Sequence, residues 1–316
     1  MVKPNTWISF VLKLTGTLLL CAVILARMDL SQVGHLLVNV QPEPVVIMLV
    51  IWFMALVVSA LRWQSVLTGY GLRQTLWQTI SLYWIGSFFN NFLPTSIGGD
   101  SYKFLHVRKI FPGKDAAILS SLIVERGCGL IAILVFAAAF GGYFFDVIKN
   151  NAPFAWCYAF VIASIIVIPI VLWLIQQHLV HKSVRSGLLQ KLITGLETFF
   201  SLQHHRSLVL FRALGLSIFF LILNIVAYWY GFRAIGEHMP LLVLCAIVPC
   251  IQLSRMIPLT LNSIGIAEGA GIYFFSLFGV SYEVALSVLL LNRVVGLFAT
   301  FTGGFRYLSW NAKKTT

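Results

Sequence analysis

Long apolar runs, rather than an alternation of apolar and polar positions, organise this chain. They fall at 8–26, 44–61, 77–93, 116–144, 155–175, 208–232, 241–260, 264–279 and 284–302. A helix needs roughly 20 such residues to cross a bilayer, and only helices and closed barrels satisfy every backbone group in lipid. The pattern predicts an all-α polytopic membrane bundle of about eight spans with re-entrant or broken helices. It has no long polar interval, so residues 1–316 read as a single transmembrane domain. The first run, Ile8 to Ala26, is read as a retained span. It ends in Arg27-Met28-Asp29 without a small-x-small cleavage site.

Composition agrees with the runs. Hydrophobic residues make up 59% of the chain and charged residues 10%, against about 25% charged in a globular domain. The net charge of +12 comes with no nucleic-acid motif, so no nucleic acid is expected as a partner. Basic residues instead cluster at Arg62 and Arg73, at Lys103, Arg108, Lys109 and Lys114, between Lys182 and Arg212, and at Arg306, Lys313 and Lys314. The positive-inside rule places all four clusters, both termini and the short tail 303–316 in the cytoplasm. Basic loops then flank 77–93 on both sides, so that segment is expected to dip in and turn back near Asn90-Asn91-Phe92-Leu93-Pro94. The basic connection 176–207 carries Leu188, Leu189, Leu192 and Leu196 at helical spacing, which suits a helix lying on an anionic leaflet. Its histidines have no carboxylate or cysteine partner at ligand spacing, and the five cysteines form no CxxC pair. Neither a metal nor a cofactor is expected.

Residues that do not suit lipid carry the functional signal, because a charge at mid-bilayer costs about 2.5–3.5 kcal/mol on insertion scales. Four regions hold them. In Asn90-Asn91-Phe92-Leu93-Pro94-Thr95-Ser96-Ile97-Gly98-Gly99-Asp100 the proline breaks the helix, and Gly98-Gly99 permits a close backbone approach to a ligand. An ordinary helix entry capped by Asp100 explains the same residues. Glu125-Arg126 lies deep in an apolar helix; sequence neighbours point about 100° apart, so each needs another partner. The third region runs from Gln252 through Arg255 and Pro258 to Asn262-Ser263-Ile264-Gly265 and Glu268, and the fourth is Asn292-Arg293. One reading makes all of them buried ion pairs that fix helix packing. Arg126, Arg255 and Arg293 against Glu125 and Glu268 leave one positive charge, which Asp100 cancels if it is counted. Arginine's planar fork is suited to phosphate, so the other reading is a cavity for the phosphate of an amphiphile.

An internal echo links two of these regions. Pro94 leads through Ser96-Ile97-Gly98 to Asp100, and Pro258 through Ser263-Ile264-Gly265 to Glu268. Transporters often place broken helices at matching positions of two halves, with the binding site between them. The echo requires the two segments to lie close together.

Phe89-Asn90-Asn91-Phe92-Leu93-Pro94 with Gly98-Gly99-Asp100, then Val124-Glu125-Arg126, then Ser263-Ile264-Gly265 with Glu268, resembles the lysylphosphatidylglycerol synthase transmembrane region family over nearly the whole chain. The resemblance implies a flippase-like domain, which in bifunctional members moves aminoacylated phosphatidylglycerol between leaflets. This chain stops at Thr316 without the soluble synthase domain, so only the flippase-like half is implied. Asn90, Asn91, Pro94, Gly98, Gly99, Asp100, Glu125, Arg126, Gly265 and Glu268 are the candidate substrate residues on the motif, and Arg255 and Arg293 join them on depth. None is assigned a catalytic role.

The expectation is a lipid translocase of a bacterial inner membrane that handles an anionic or polyprenyl-type lipid. No GxxxxGK[ST] loop is present, so energy would come from a gradient or a partner, with Glu125, Glu268 or Asp100 as proton relays. Two alternatives stand beside it: a membrane enzyme on a lipid-linked substrate, and a non-transporting subunit working with a separately encoded enzyme.

Overall fold

The structure, a computed structural model, describes residues 4–26, 28–92, 98–178, 206–257 and 259–315. Pro94, Pro258 and most of the connection expected to lie on the membrane surface fall outside these residues. Among the described residues all regular structure is helical. The helices are α1 (Pro4–Leu25), α2 (Leu30–Val38), α3 (Pro42–Gly69), α4 (Leu76–Phe92), α5 (Gly98–Ile110), α6 (Asp115–Gly141), α7 (Phe145–Lys149), α8 (Ala152–His178), α9 (Arg206–Ala234), α10 (Leu241–Ser254), α11 (Ile266–Ser276) and α12 (Tyr282–Thr315).

Four stretches among the described residues are long and apolar enough to cross a membrane: Pro42–Gly69, Asp115–Lys149, Ser207–Ala234 and Tyr282–Trp310. The bent pair formed by α1 and α2 would make a fifth. Segments 77–93 and 264–279 fold as helices of 17 and 11 residues, and Leu241–Ser254 is a shorter apolar helix. Exposed Leu12, Leu18, Phe160, Phe211 and Phe298 lie on the outside of the bundle, as expected where the solvent is hydrocarbon.

The break expected near Pro94 falls outside the described residues, and the helices on either side of it pack together. Helix α5 folds back on α4, and the Asn90 side-chain oxygen accepts the Gly99 N–H at 2.8 Å. At Gly99 a Cβ would collide with the backbone of Gly86, so only glycine permits this approach. The second break is tighter. Asn262, Ser263 and Gly265 all take positive φ, and a Cβ on Gly265 would sit 2.8 Å from Leu20 of α1.

One succession of helices occurs twice. A long helix is followed by a shorter one, a break, a short helix and another long one, as α3 to α6 and again as α9 to α12. The paired helices begin at residues 42 and 206, 76 and 241, 98 and 266, and 115 and 282, a nearly constant offset. The contacts match as well: α4 packs on α12 as α10 packs on α6, and α3 packs on α6 as α9 packs on α12. Each set has its own core, around Trp63, Leu82 and Ile118 in the first and around Tyr228, Leu244 and Phe275 in the second. Helices α3 and α9 run antiparallel, with Gly69 against Val209, Arg62 against Ser217 at 3.4 Å and the Gln41 N–H on the Ala234 carbonyl at 2.8 Å. The second set is therefore inverted relative to the first.

Small residues set the interfaces between the two sets. A Cβ on Gly303 of α12 would lie 2.6 Å from the Trp84 carbonyl oxygen of α4, whereas one on Gly215 of α9 meets nothing within 4 Å. Overpacking of this kind costs about 1–3 kcal/mol. Gly303→Ala is expected to lower the melting temperature of the purified protein, and Gly215→Ala to leave it unchanged or raise it. Equal melting temperatures would contradict the close α4–α12 approach.

Candidate functional site

Helices α3, α4 and α5 converge on one carboxylate in the middle of α6. Glu125 is buried, as its place in an apolar helix requires, and α3 brings Arg62 to it. The Arg62 Nε and Nη2 donate to Glu125 Oε1 at 3.2 and 2.6 Å, and the Tyr83 hydroxyl donates to the same oxygen at 3.0 Å. Lys103 Nζ lies 3.7 Å from Glu125 Oε2 and 2.9 Å from Asp100 Oδ1. It also sits over the rings of Tyr83 and Trp63, at 4.4 and 5.0 Å from their centroids. Asp100 in turn accepts from Arg126, whose Nε is 2.7 Å from Oδ2. Glu125 and Arg126 thus each find another partner, as their angular separation on the helix demands.

The second set repeats part of this arrangement. Glu268, in the first turn of α11, accepts the Gly265 N–H at 2.7 Å through Oε2 and binds Arg293 of α12 through Oε1, at 2.7 Å from Nε and 2.6 Å from Nη2. In both sets an acid in the first turn of the short helix holds an arginine on the following long helix. The last turn of α4 reaches across to the second set: Asn91 donates to Thr300 Oγ1 at 2.9 Å, and its Oδ1 accepts from Asn262 Nδ2 at 3.3 Å. Pro94, Ser96, Ile97 and Pro258 of the internal echo lie outside the described residues.

Between the two sets lies a cavity of about 640 Å³. Asn91, Asp100, Arg126, Arg255 and Arg293 line it, and Arg126 is the most open of the paired cations at 55% side-chain exposure. Asn90 and Glu125 line a smaller adjoining pocket of about 180 Å³. Gly98, Gly99, Gly265 and Glu268 stand behind these walls. They shape the starts of α5 and α11 or hold an arginine. Glu125 pairs with neither Arg255 nor Arg293. Arg255 donates through Nη2 to the Tyr228 hydroxyl at 3.1 Å.

The positive-inside rule places Arg62 and Lys103 in cytoplasmic clusters, and the structure corrects this. Arg62 is 8% and Lys103 is 3% exposed, and both lie inside the bundle. Helix α3 continues to Gly69, and Trp63, Val66 and Leu67 carry its apolar face past Arg62. Lys103 lies one turn after Gly99 and Asp100, on the face of α5 turned to the core. With these two, and with Lys13 of α1 in the cavity lining, the interior charges become Lys13, Arg62, Lys103, Arg126, Arg255 and Arg293 against Asp100, Glu125 and Glu268. The excess is therefore three positive charges rather than one or none. Among the described residues no cluster of three or more His, Cys, Asp or Glu could hold a metal ion.

A sequence profile of the lysylphosphatidylglycerol synthase TM region matches residues 10–304, so the chain belongs to that family. A UPF0104 membrane protein of Methanocaldococcus jannaschii is 23% identical over 315 residues, covering 93% of this chain and 92% of its own length. A second UPF0104 membrane protein, from Methanothermobacter thermautotrophicus, is 22% identical over 317 residues, covering 90% of each chain.

Removing one member of a buried ion pair leaves the rest uncompensated, at a cost of about 3–5 kcal/mol. Glu125→Gln is therefore expected to destabilise the purified protein strongly. Adding Arg62→Met should recover part of the loss in a double-mutant cycle read by thermal unfolding. Additive losses would show that the pair is not coupled.

Proposed function

We propose that this protein is a lipid translocase of the cell membrane, with both termini in the cytoplasm, and that it moves an anionic or lipid-linked phosphate amphiphile without making or breaking covalent bonds. The observation that carries this reading is the central cavity between two inverted sets of helices, lined by Arg126, Arg255 and Arg293. Inverted sets around a central site suit alternating access, in which one set rocks against the other. Arginines inside a membrane cavity suit a phosphate. Apolar Leu130, Ile133 and Leu221 share the lining, so an alkyl chain can stay in apolar surroundings while the head group crosses.

Arg126 is the cation placed to meet a head group first, because it is half exposed while its partner Asp100 is anchored by Lys103. Glu125 is already committed to Arg62, Lys103 and Tyr83. Asp100 is likewise held by Lys103 and Arg126, and Glu268 by Arg293 and the Gly265 N–H.

The test is purified protein in liposomes carrying head-group-labelled phosphatidylglycerol, with an impermeant quencher outside. The reading expects the protected half of the signal to decay faster than in empty vesicles, and Arg126→Ala to abolish the gain. Decay equal to that of empty vesicles for phosphatidylglycerol and for a polyprenyl phosphate would overturn it. Recovery of a lipid of changed mass would favour an enzyme instead.

A further inference from the structure

The two sets differ at one informative position. In the first, the residue before the acid-paired arginine of the long helix is Glu125, and its carboxylate neutralises Arg62 and Lys103. In the second, the residue before Arg293 is Asn292, an amide with no charge to offer. The cation on that side, Arg255, has no carboxylate within ion-pair distance among the described residues. Its Nε is buried with no hydrogen-bond partner.

Asn292 is 1% exposed. Trp52 donates its indole N–H to Asn292 Oδ1 at 3.0 Å, which fixes the amide so that Nδ2 is the free end. That donor is also buried and unpartnered, as is the hydroxyl of Thr260. Arg255, Asn292 and Thr260 all line the central cavity. Buried donors without acceptors are rare in folded proteins and call for an explanation. An anion that these side chains turn to meet in the cavity would supply their acceptors and the charge that Glu125 supplies in the first set.

We propose that Arg255, Asn292 and Thr260 form an anion subsite for one phosphate group, at the place in the second set that corresponds to Glu125 in the first. A tetrahedral oxyanion offers enough acceptors for all three donors, and a guanidinium is its natural counter-charge. The subsite rests on the translocase reading for the source of the phosphate, a lipid head group. The same chemistry would also accept free phosphate.

The experiment uses the full chain in detergent micelles. Binding of dioctanoyl phosphatidic acid is measured by competition against its radiolabelled form, with dioctanoylglycerol and inorganic phosphate as competitors. The subsite predicts binding that weakens about tenfold or more in Asn292→Asp and Arg255→Gln, less in Arg255→Lys, and not at all in Arg233→Gln, an exposed arginine stacked on Trp229. Dioctanoylglycerol should not compete. Competition by inorganic phosphate at concentrations similar to the lipid assigns the site to free phosphate, and competition only at far higher concentrations assigns it to the head group. Wild-type protein that binds neither phosphate compound, or Arg255→Gln and Asn292→Asp variants that bind as wild type does, would overturn the subsite. If Asn292→Asp fails to fold, the Arg255 pair of variants decides. The liposome assay separates this claim from the one beneath it. Binding without flux removes the translocase reading and keeps the subsite, whereas flux unchanged in both variants does the reverse.

Discussion

The cost of holding charge away from water governs this structure. Six cations and three carboxylates lie within or against the interior of a chain that is otherwise strongly apolar, and an ion moved out of water loses several kcal/mol even after the protein relaxes. The Glu125 carboxylate meets that constraint for the first set of helices. It draws Arg62 from α3, Tyr83 from α4 and Lys103 from α5 onto α6, so four helices share one anion. Such a node fixes helix positions as much as it stabilises them, because any slide of one helix strands a charge.

The second set meets the same constraint incompletely. Glu268 neutralises Arg293 and also caps the start of α11, but the Arg255 side chain has only the Tyr228 hydroxyl among the described residues. An inverted repeat would place equivalent groups on opposite sides of the cavity, so a difference between equivalents marks where the two sides have different tasks. One side is locked by its own carboxylates, while the other keeps donors free. That asymmetry turns a packing motif into a candidate binding surface.

Much of this was legible in the sequence, for identifiable reasons. Apolar runs fix the membrane class because nothing else tolerates them, and Glu125-Arg126 announced partners elsewhere because helix geometry keeps neighbours apart. Asn91 at the end of α4 meets Asn262 of the second break, whereas Pro94, Ser96, Ile97 and Pro258 of the matched segments lie outside the described residues. Arg62 and Lys103 were read as loop charges because they stand at the ends of apolar runs, where basic residues commonly orient a span. Only the continued apolar face of α3 and the fold-back of α5 show that they are buried. The free donors of Arg255 and Asn292 were not legible at all. A hydrogen bond left unmade depends on neighbours as distant as Trp52 and Tyr228, which no local pattern connects.

The central claim is that the cavity between the two sets holds the phosphate of an amphiphile. An experimental density map of the protein in nanodiscs rich in phosphatidic acid tests it most directly. The account predicts a head-group phosphate against Arg255 and Asn292, with its acyl chains reaching outward between helices. A cavity filled only by water, with lipids confined to the outer surface of the bundle, would contradict it.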